Sequence, residues 1–144
     1  MEKKMKKSLL LWSTLFVIAG LTLAACAGNT SASVVGDWKL VSYGSPTSHT
    51  PAVPNVEASV TFGSDGKLNG NVGCNGFSGD YKVDGSTITF GPIMSTLMAC
   101  TDPIMQQEST VLSVFANSAT FKIEGKTLTI TSADGTSAVI LESK

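Results

Sequence analysis

Gly70-Asn71-Val72-Gly73-Cys74-Asn75-Gly76-Phe77-Ser78-Gly79-Asp80-Tyr81 is the stretch whose reading decides the fold. Glycine returns at every third position from Gly70 to Gly79, around a cysteine, asparagines and two aromatics. Glycines this dense within a strand-like run mean backbone passing close to backbone, or positive φ; a disordered linker would not carry Cys, Phe and Tyr. Further along, Ser95-Thr96-Leu97-Met98-Ala99-Cys100 holds the other cysteine expected inside the fold. The two segments read as one linked site.

Outward from this stretch the chain alternates with period two. Trp38 and Leu40 start a first strand that runs to about Tyr43. Gly44 to Asn55 holds Pro46, Pro51, Pro54 and His49 and reads as a long loop without a regular strand. Val56, Ala58, Val60 and Phe62 alternate with polar residues; Leu68, Gly70, Val72 and Cys74 share a face of the next strand, which points Cys74 inward. Tyr81 and Val83, Ile88 and Phe90, Phe121 and Ile123, Leu128 and Ile130, and Val139 and Leu141 continue the series. Asp65-Gly66, Asp84-Gly85, Glu124-Gly125 and Asp134-Gly135 mark tight turns between strands. Ile93 to Thr101 reads as irregular to extended. Asp102-Pro103 signals a helix start, Asp as N-cap and Pro at the first helical position, and the helix runs to about Asn117 with Ile104, Val111 and Phe115 on its apolar face. The expected fold is mainly β: about eight antiparallel strands rolled into a small barrel-like sheet, with one inserted helix covering an end or face.

The N-terminus has a different character. Lys3, Lys4, Lys6 and Lys7 precede a charge-free apolar run from Ser8 to Leu23, which closes in Leu23-Ala24-Ala25-Cys26. This is signal-peptide architecture, and its end resembles a lipobox, implying lipid transfer to Cys26 and cleavage before it. The competing reading is a membrane anchor, for which the apolar run is short. Residues 1–25 are therefore expected to be a lipoprotein signal peptide, 26–33 a flexible tether, and 34–144 the folded domain, lipid-anchored at the cell membrane or outer membrane on the extracytoplasmic side. Without residues 1–25 the chain keeps six lysines, no arginine and ten acidic residues, a net charge of −4. A nucleic-acid ligand needs a basic face that tracks phosphate, and that class is excluded.

With Cys26 lipidated, Cys74 and Cys100 remain as an even pair in an oxidising compartment and read as a disulfide; two separately buried thiols are the alternative. Zinc is poorly matched, since two cysteines and the distant His49 lack ligand spacing, and no metal or cofactor is expected.

Together these motifs resemble the META domain of the HslJ-type bacterial heat-shock lipoproteins. The resemblance is carried by Trp38-x-Leu40, Phe62-Gly63-x-Asp65-Gly66, Gly73-Cys74-Asn75-x-Phe77-x-Gly79-x-Tyr81, Ile88-x-Phe90-Gly91-Pro92, Ser95-Thr96-x-Met98-Ala99-Cys100 and Glu108, and spans residues 34 to 142. It implies a compact β-rich fold with one helix, no established enzymatic activity, and an association with the envelope, stress tolerance and, in some parasites, virulence.

The chemistry-bearing residues point the same way. His49 sits in a Pro/Ser/Thr loop, no Gly-x-Ser-x-Gly turn occurs, and no basic residue lies within five positions of either Cys74 or Cys100, so neither a serine nor a thiol nucleophile is assembled. A phosphate loop would need a helix after the glycines, where a strand follows. Met94, Met98 and Met105 read as core filler near the helix entry, with the lining of an adaptable apolar site as the alternative. Glu108 is the anomaly: it falls within the apolar stripe and must find donors there or become protonated; the N–H groups of the Gly73–Gly76 turn are the natural partners, and a polar group at the floor of a ligand pocket is the alternative. Asn75, Phe77, Tyr81 and Glu108 form the structural or binding set. Three functional classes follow: a non-catalytic envelope module acting on another protein, a carrier of a lipid or other small apolar ligand, and an inhibitor of a secreted enzyme. A cavity of several hundred Å³ inside the sheet would mark the carrier.

Overall fold

The computed structural model describes residues 33–144, which leaves the signal-peptide, lipobox and most of the tether readings, Cys26 included, outside the described residues. Eight antiparallel strands close a barrel: β1 (Gly36–Ser45), β3 (Ser59–Phe62), β4 (Lys67–Asn71), β5 (Gly76–Asp84), β6 (Thr87–Phe90), β8 (Ser118–Glu124), β9 (Thr127–Ser132) and β10 (Ala138–Ser143). The seam is β10 against β1, with Leu40 opposite Leu141. Two short strands lie off this circuit, β2 (Ser48–Pro51) on β1 and β7 (Met94–Ser95) on β5. One helix, α1 (Ile104–Val114), follows β7.

Alternation builds the interior. Trp38, Leu40, Val60, Phe62, Leu68, Phe77, Ile88, Phe90, Leu128, Ile130, Val139 and Leu141 point inward and merge into one buried cluster. A bulge between Leu40 and Ser42 shifts the phase of β1, which turns Tyr43 inward as well. The apolar stripe of α1 joins the same cluster through Val111 and Val114, with Phe115 just beyond the helix end.

Antiparallel alternation sorts the connections to two ends. The chain enters at Val34, and the turns after β3, β5 and β8 lie at that entry end, as does Lys144. The far end carries the β1–β3 connection with β2, the turn between β4 and β5, the long connection with β7 and α1, and the β9–β10 turn. The four tight turns expected from Asp-Gly and Glu-Gly are all present, with Gly66, Gly85, Gly125 and Gly135 at positive φ.

Three local expectations are corrected. The Gly44–Asn55 stretch holds a strand after all: β1 continues to Ser45, and the chain doubles back so that Gly44 faces His49 and Ser42 faces Pro51. Pro51 is tolerated because β2 is an edge strand. Asp102 does not cap the helix. Ile104 N–H is already taken by the Thr101 carbonyl at 3.1 Å, and Pro103, not Asp102, occupies the cap position, with no side-chain bond. Finally, β4 stops at Asn71, so Val72 to Asn75 form a bend and Cys74 is buried by that bend and not by strand phase.

Gly70 shows why the organising stretch needs its glycines. A Cβ there would lie 2.2 Å from the Ser59 carbonyl oxygen and 3.0 Å from Val60 Cα, both backbone atoms of β3. Gly70→Ala is expected to cost roughly 1–3 kcal/mol in a urea titration, as overpacking against backbone does. Gly76→Ala, whose Cβ would meet nothing nearer than 3.9 Å, serves as the control and should cost far less.

Candidate functional site

The far end gathers most of the residues singled out by sequence. Glu108 sits on the barrel side of α1 and is buried. Its Oε2 accepts from the backbone N–H of Cys74 at 2.7 Å and of Asn75 at 2.5 Å, and its Oε1 accepts from Asn75 Nδ2 at 2.7 Å. The bend at Val72–Asn75 aims successive amides at one point, and Gly73 permits the helix to come this close. A Cβ on Gly73 would lie 2.8 Å from both Glu108 Cβ and the Ile104 carbonyl oxygen.

Asn75 is the second node. Besides its two bonds to Glu108, its Nδ2 donates to the Met98 carbonyl at 3.1 Å. Its Oδ1 accepts from Met98 N–H at 2.7 Å and from the Thr96 hydroxyl at 2.8 Å. One buried amide thus fastens the β7–α1 connection to the bend and to the helix. Cys74 is bonded to Cys100, with Cα atoms 6.0 Å apart across a separation of 26 residues, which closes the third tie between the same two segments.

Gln107 belongs to this assembly and was missed by the sequence reading. It is fully buried; its Nε2 donates to the Val72 carbonyl and its Oε1 accepts from Val53 N–H, both at 2.7 Å. Its phase carried the signal: positions 104, 107, 108 and 111 share one helical face, so Gln107 stands in the apolar stripe as Glu108 does. Among the described residues every buried side-chain N or O atom has a partner.

Phe77 and Tyr81 do not join the polar assembly. Phe77 is core, tilted against Phe115 with ring centres 6.1 Å apart. Tyr81 lies toward the entry end, edge-on to Phe62, its hydroxyl donating to the Gly63 carbonyl at 2.7 Å. Burial, then the charge of Asp65, raises the Tyr81 pKa above its ordinary 10.0. Between 10.0 and that raised value the unfolded chain gives up a proton that the folded one keeps. Stability from this group is complete below the unfolded pKa and is lost as pH rises through the folded one. The expected result is that Tyr81→Phe flattens the alkaline fall of stability above pH 10.0, read by denaturant titrations at successive pH values.

Met94 and Met98 are exposed rather than core, and Met105 is half-buried. Met98 is bonded through its backbone N–H and carbonyl, which leaves its side chain facing water, and Met94 stands in β7 opposite the exposed Ser78 of β5. His49 is exposed on β2. Among the described residues no cluster of three or more His, Cys, Asp or Glu could hold a metal, and no helix is long and apolar enough to cross a membrane.

The same barrel occurs in solved structures. An NMR structure of a protein from Burkholderia xenovorans aligns with a TM-score of 0.63 at 18% identity, covering 76% of this chain and 81% of that one. A second NMR structure gives 0.58 at 18%, covering 74% and 87%. A crystal structure of a DUF4847 family protein from Bacteroides vulgatus gives 0.55 at 13%, covering 76% and 92%. At these identities the likeness is one of fold. No curated protein matches the chain. The META domain model matches residues 31–144, all of the barrel with its helix, and the chain belongs to the META domain family.

Proposed function

We propose that the chain is a membrane-anchored extracytoplasmic lipoprotein whose META barrel works as a non-catalytic envelope module, docking to another protein. The observation that carries this reading is how the reactive groups of the far end are used. Both Glu108 oxygens are occupied by donors from the bend, the Asn75 amide is saturated, and Cys74 and Cys100 are bonded to each other. No acid, base or thiol in this assembly is left free to act on a substrate. A disulfide that closes on a buried cysteine also suits the oxidising side of a membrane.

The carrier reading is supported less well. The inward-facing side chains fill the barrel, with Val60, Leu68, Ile88, Leu128 and Ile130 wholly buried against one another. The sizeable hollows at β4 and β5 are open grooves that contact solvent.

Anchoring is tested by the intact mass of protein taken from its own membrane fraction. The expected species begins at Cys26 and carries added acyl mass, and Cys26→Ser yields an uncleaved or soluble form. An unmodified N-terminus at Ala27 or Gly28 would refute the anchor. Several acyl chains, at ~0.8 kcal/mol per buried CH₂, hold a protein durably where one chain does not.

A further inference from the structure

We propose that Cys100 is a thiol-exchange site: the sulfur at which an external thiol or disulfide enters and leaves this chain, with Cys74 as the buried sulfur that expels it. This goes beyond the envelope-module reading and does not depend on it. The two halves of the bond have opposite surroundings. Cys74 is 7% exposed, in the Val72–Asn75 bend beside Glu108, whereas Cys100 stands in a run from Met94 to Pro103 in which every residue is exposed. Thiol–disulfide exchange requires access to the sulfur attacked, and only the Cys100 side gives it.

The exchange consists of substitutions at one sulfur. An incoming thiolate attacks Cys100 Sγ and forms a mixed disulfide there; the Cys74–Cys100 bond breaks, and its electron pair leaves on Cys74 Sγ. In the reverse step Cys74 attacks Cys100 Sγ, remakes the internal bond and expels the external thiolate. Starting from the reduced chain, a small disulfide is the oxidant. The Cys100 thiolate takes one of its sulfurs and releases the other as a thiolate, and Cys74 then displaces the sulfur taken. Two electrons pass from the chain to the external disulfide, and the two thiol protons pass to water and the departing thiolates.

The setting of Cys74 favours resealing. Its N–H is held by the Glu108 carboxylate, and the Met98 carbonyl oxygen lies 3.7 Å from its Sγ. Gly70 to Gly79 and Gly85 to Thr101 carry no charge, and Glu108 is the sole charged residue of α1. A sulfur left negative at Cys74 therefore meets a carboxylate and a carbonyl oxygen, with no cation supplied by these segments. It leaves poorly, and the mixed disulfide on Cys100 is short-lived.

The two sulfurs also keep their register without the bond. Asn75 Oδ1 accepts from the Met98 N–H and the Thr96 hydroxyl, Asn75 Nδ2 donates to the Met98 carbonyl, and Thr96 N–H donates to the Gly76 carbonyl. Cys100, two residues past Met98, thus has its Cα 6.0 Å from that of Cys74, a separation that a disulfide spans. Held in this way, Cys74 attacks Cys100 as an internal nucleophile and outruns a dissolved thiol. The bond is accordingly closed on the folded barrel, by a disulfide-donating oxidant that acts on Cys100.

The test uses the full-length chain purified from its own cells, reduced and freed of reductant. A limiting amount of N-ethylmaleimide is added to the native chain and, separately, to the chain in concentrated urea, and the label is mapped to peptides by mass spectrometry. In the native chain, label on Cys100 should exceed that on Cys74 at least about ten-fold, whereas in urea the two should be labelled alike. Oxidised glutathione is the second probe. The wild type should regain the Cys74–Cys100 bond with no glutathione retained on either cysteine, whereas Cys74→Ala should keep one glutathione on Cys100. Even labelling of the native chain, preference for Cys74, glutathione persisting on Cys100 of the wild type, or none on Cys100 of Cys74→Ala would each overturn the proposal. Label at Cys26 would count against the lipid anchor alone, because the peptide map separates it from both other cysteines.

Discussion

Glu108→Ala is expected to destabilise the barrel by about 3 to 4 kcal/mol, measured by denaturant titration at neutral pH. The truncation leaves three buried N–H bonds without an acceptor: the backbone N–H groups of Cys74 and Asn75 and one N–H of the Asn75 side-chain amide, whose Nδ2 keeps the Met98 carbonyl. Each unsatisfied buried donor costs about 1–3 kcal/mol, reduced where the bend relaxes or a water enters. Glu108→Gln separates the hydrogen-bond account from simple loss of volume. Its carbonyl oxygen can keep the two backbone donors, but its NH₂ then faces the Asn75 NH₂, a donor against a donor. The loss should be intermediate, about 1–2 kcal/mol, and Asn75→Ala should diminish the difference between Glu and Gln at position 108 because the opposing amide is gone. A neutral alanine variant would show that the helix does not depend on this tie, and Glu108 would then be better read as a group kept for a ligand.

How much of this was legible in the sequence follows from how local each cause is. The hairpins were readable because Asp-Gly and Glu-Gly at 65–66, 84–85, 124–125 and 134–135 sit between alternating segments, and turn chemistry acts within four residues. Glu108 stood out because a carboxylate in an apolar stripe demands donors, and the glycine bend was the richest source of them. Gln107 was overlooked beside it, since an amide asks less loudly than a charge although its phase is the same. β2 escaped because prolines at 46, 51 and 54 argue against a strand, and only the continuation of β1 past Tyr43 shows that an edge position is available. The outward turn of Met94 and Met98 could not be read locally. For Met98 it depends on Asn75 seizing the backbone across 23 residues of chain, and for Met94 on the pairing of β7 with β5; side-chain composition carries no sign of which surface the backbone will present.

Removing the disulfide is expected to cost about 3.5 kcal/mol, the chain-entropy value for a closed loop of this length. The variant is Cys74→Ala with Cys100→Ala, compared with the wild type in the presence and absence of a reductant. In the folded state the β7–α1 connection keeps its other fastenings, Asn75 to Thr96 and Met98 and Glu108 to the bend, so the native structure should persist without the bond. The loss therefore acts chiefly through the unfolded chain, which gains freedom and exposes more surface when the loop is opened. Two readouts follow. Stability falls and the denaturant slope m rises, because m tracks the surface exposed on unfolding. The reduced wild type should match the double variant in both, apart from the small cavity where the Cys74 sulfur was buried. An unchanged m accompanied by loss of amide protection at Thr96 and Met98 would place the effect in the native loop instead. In that case the disulfide, more than Asn75, would be what holds Met94, Leu97 and Met98 in position.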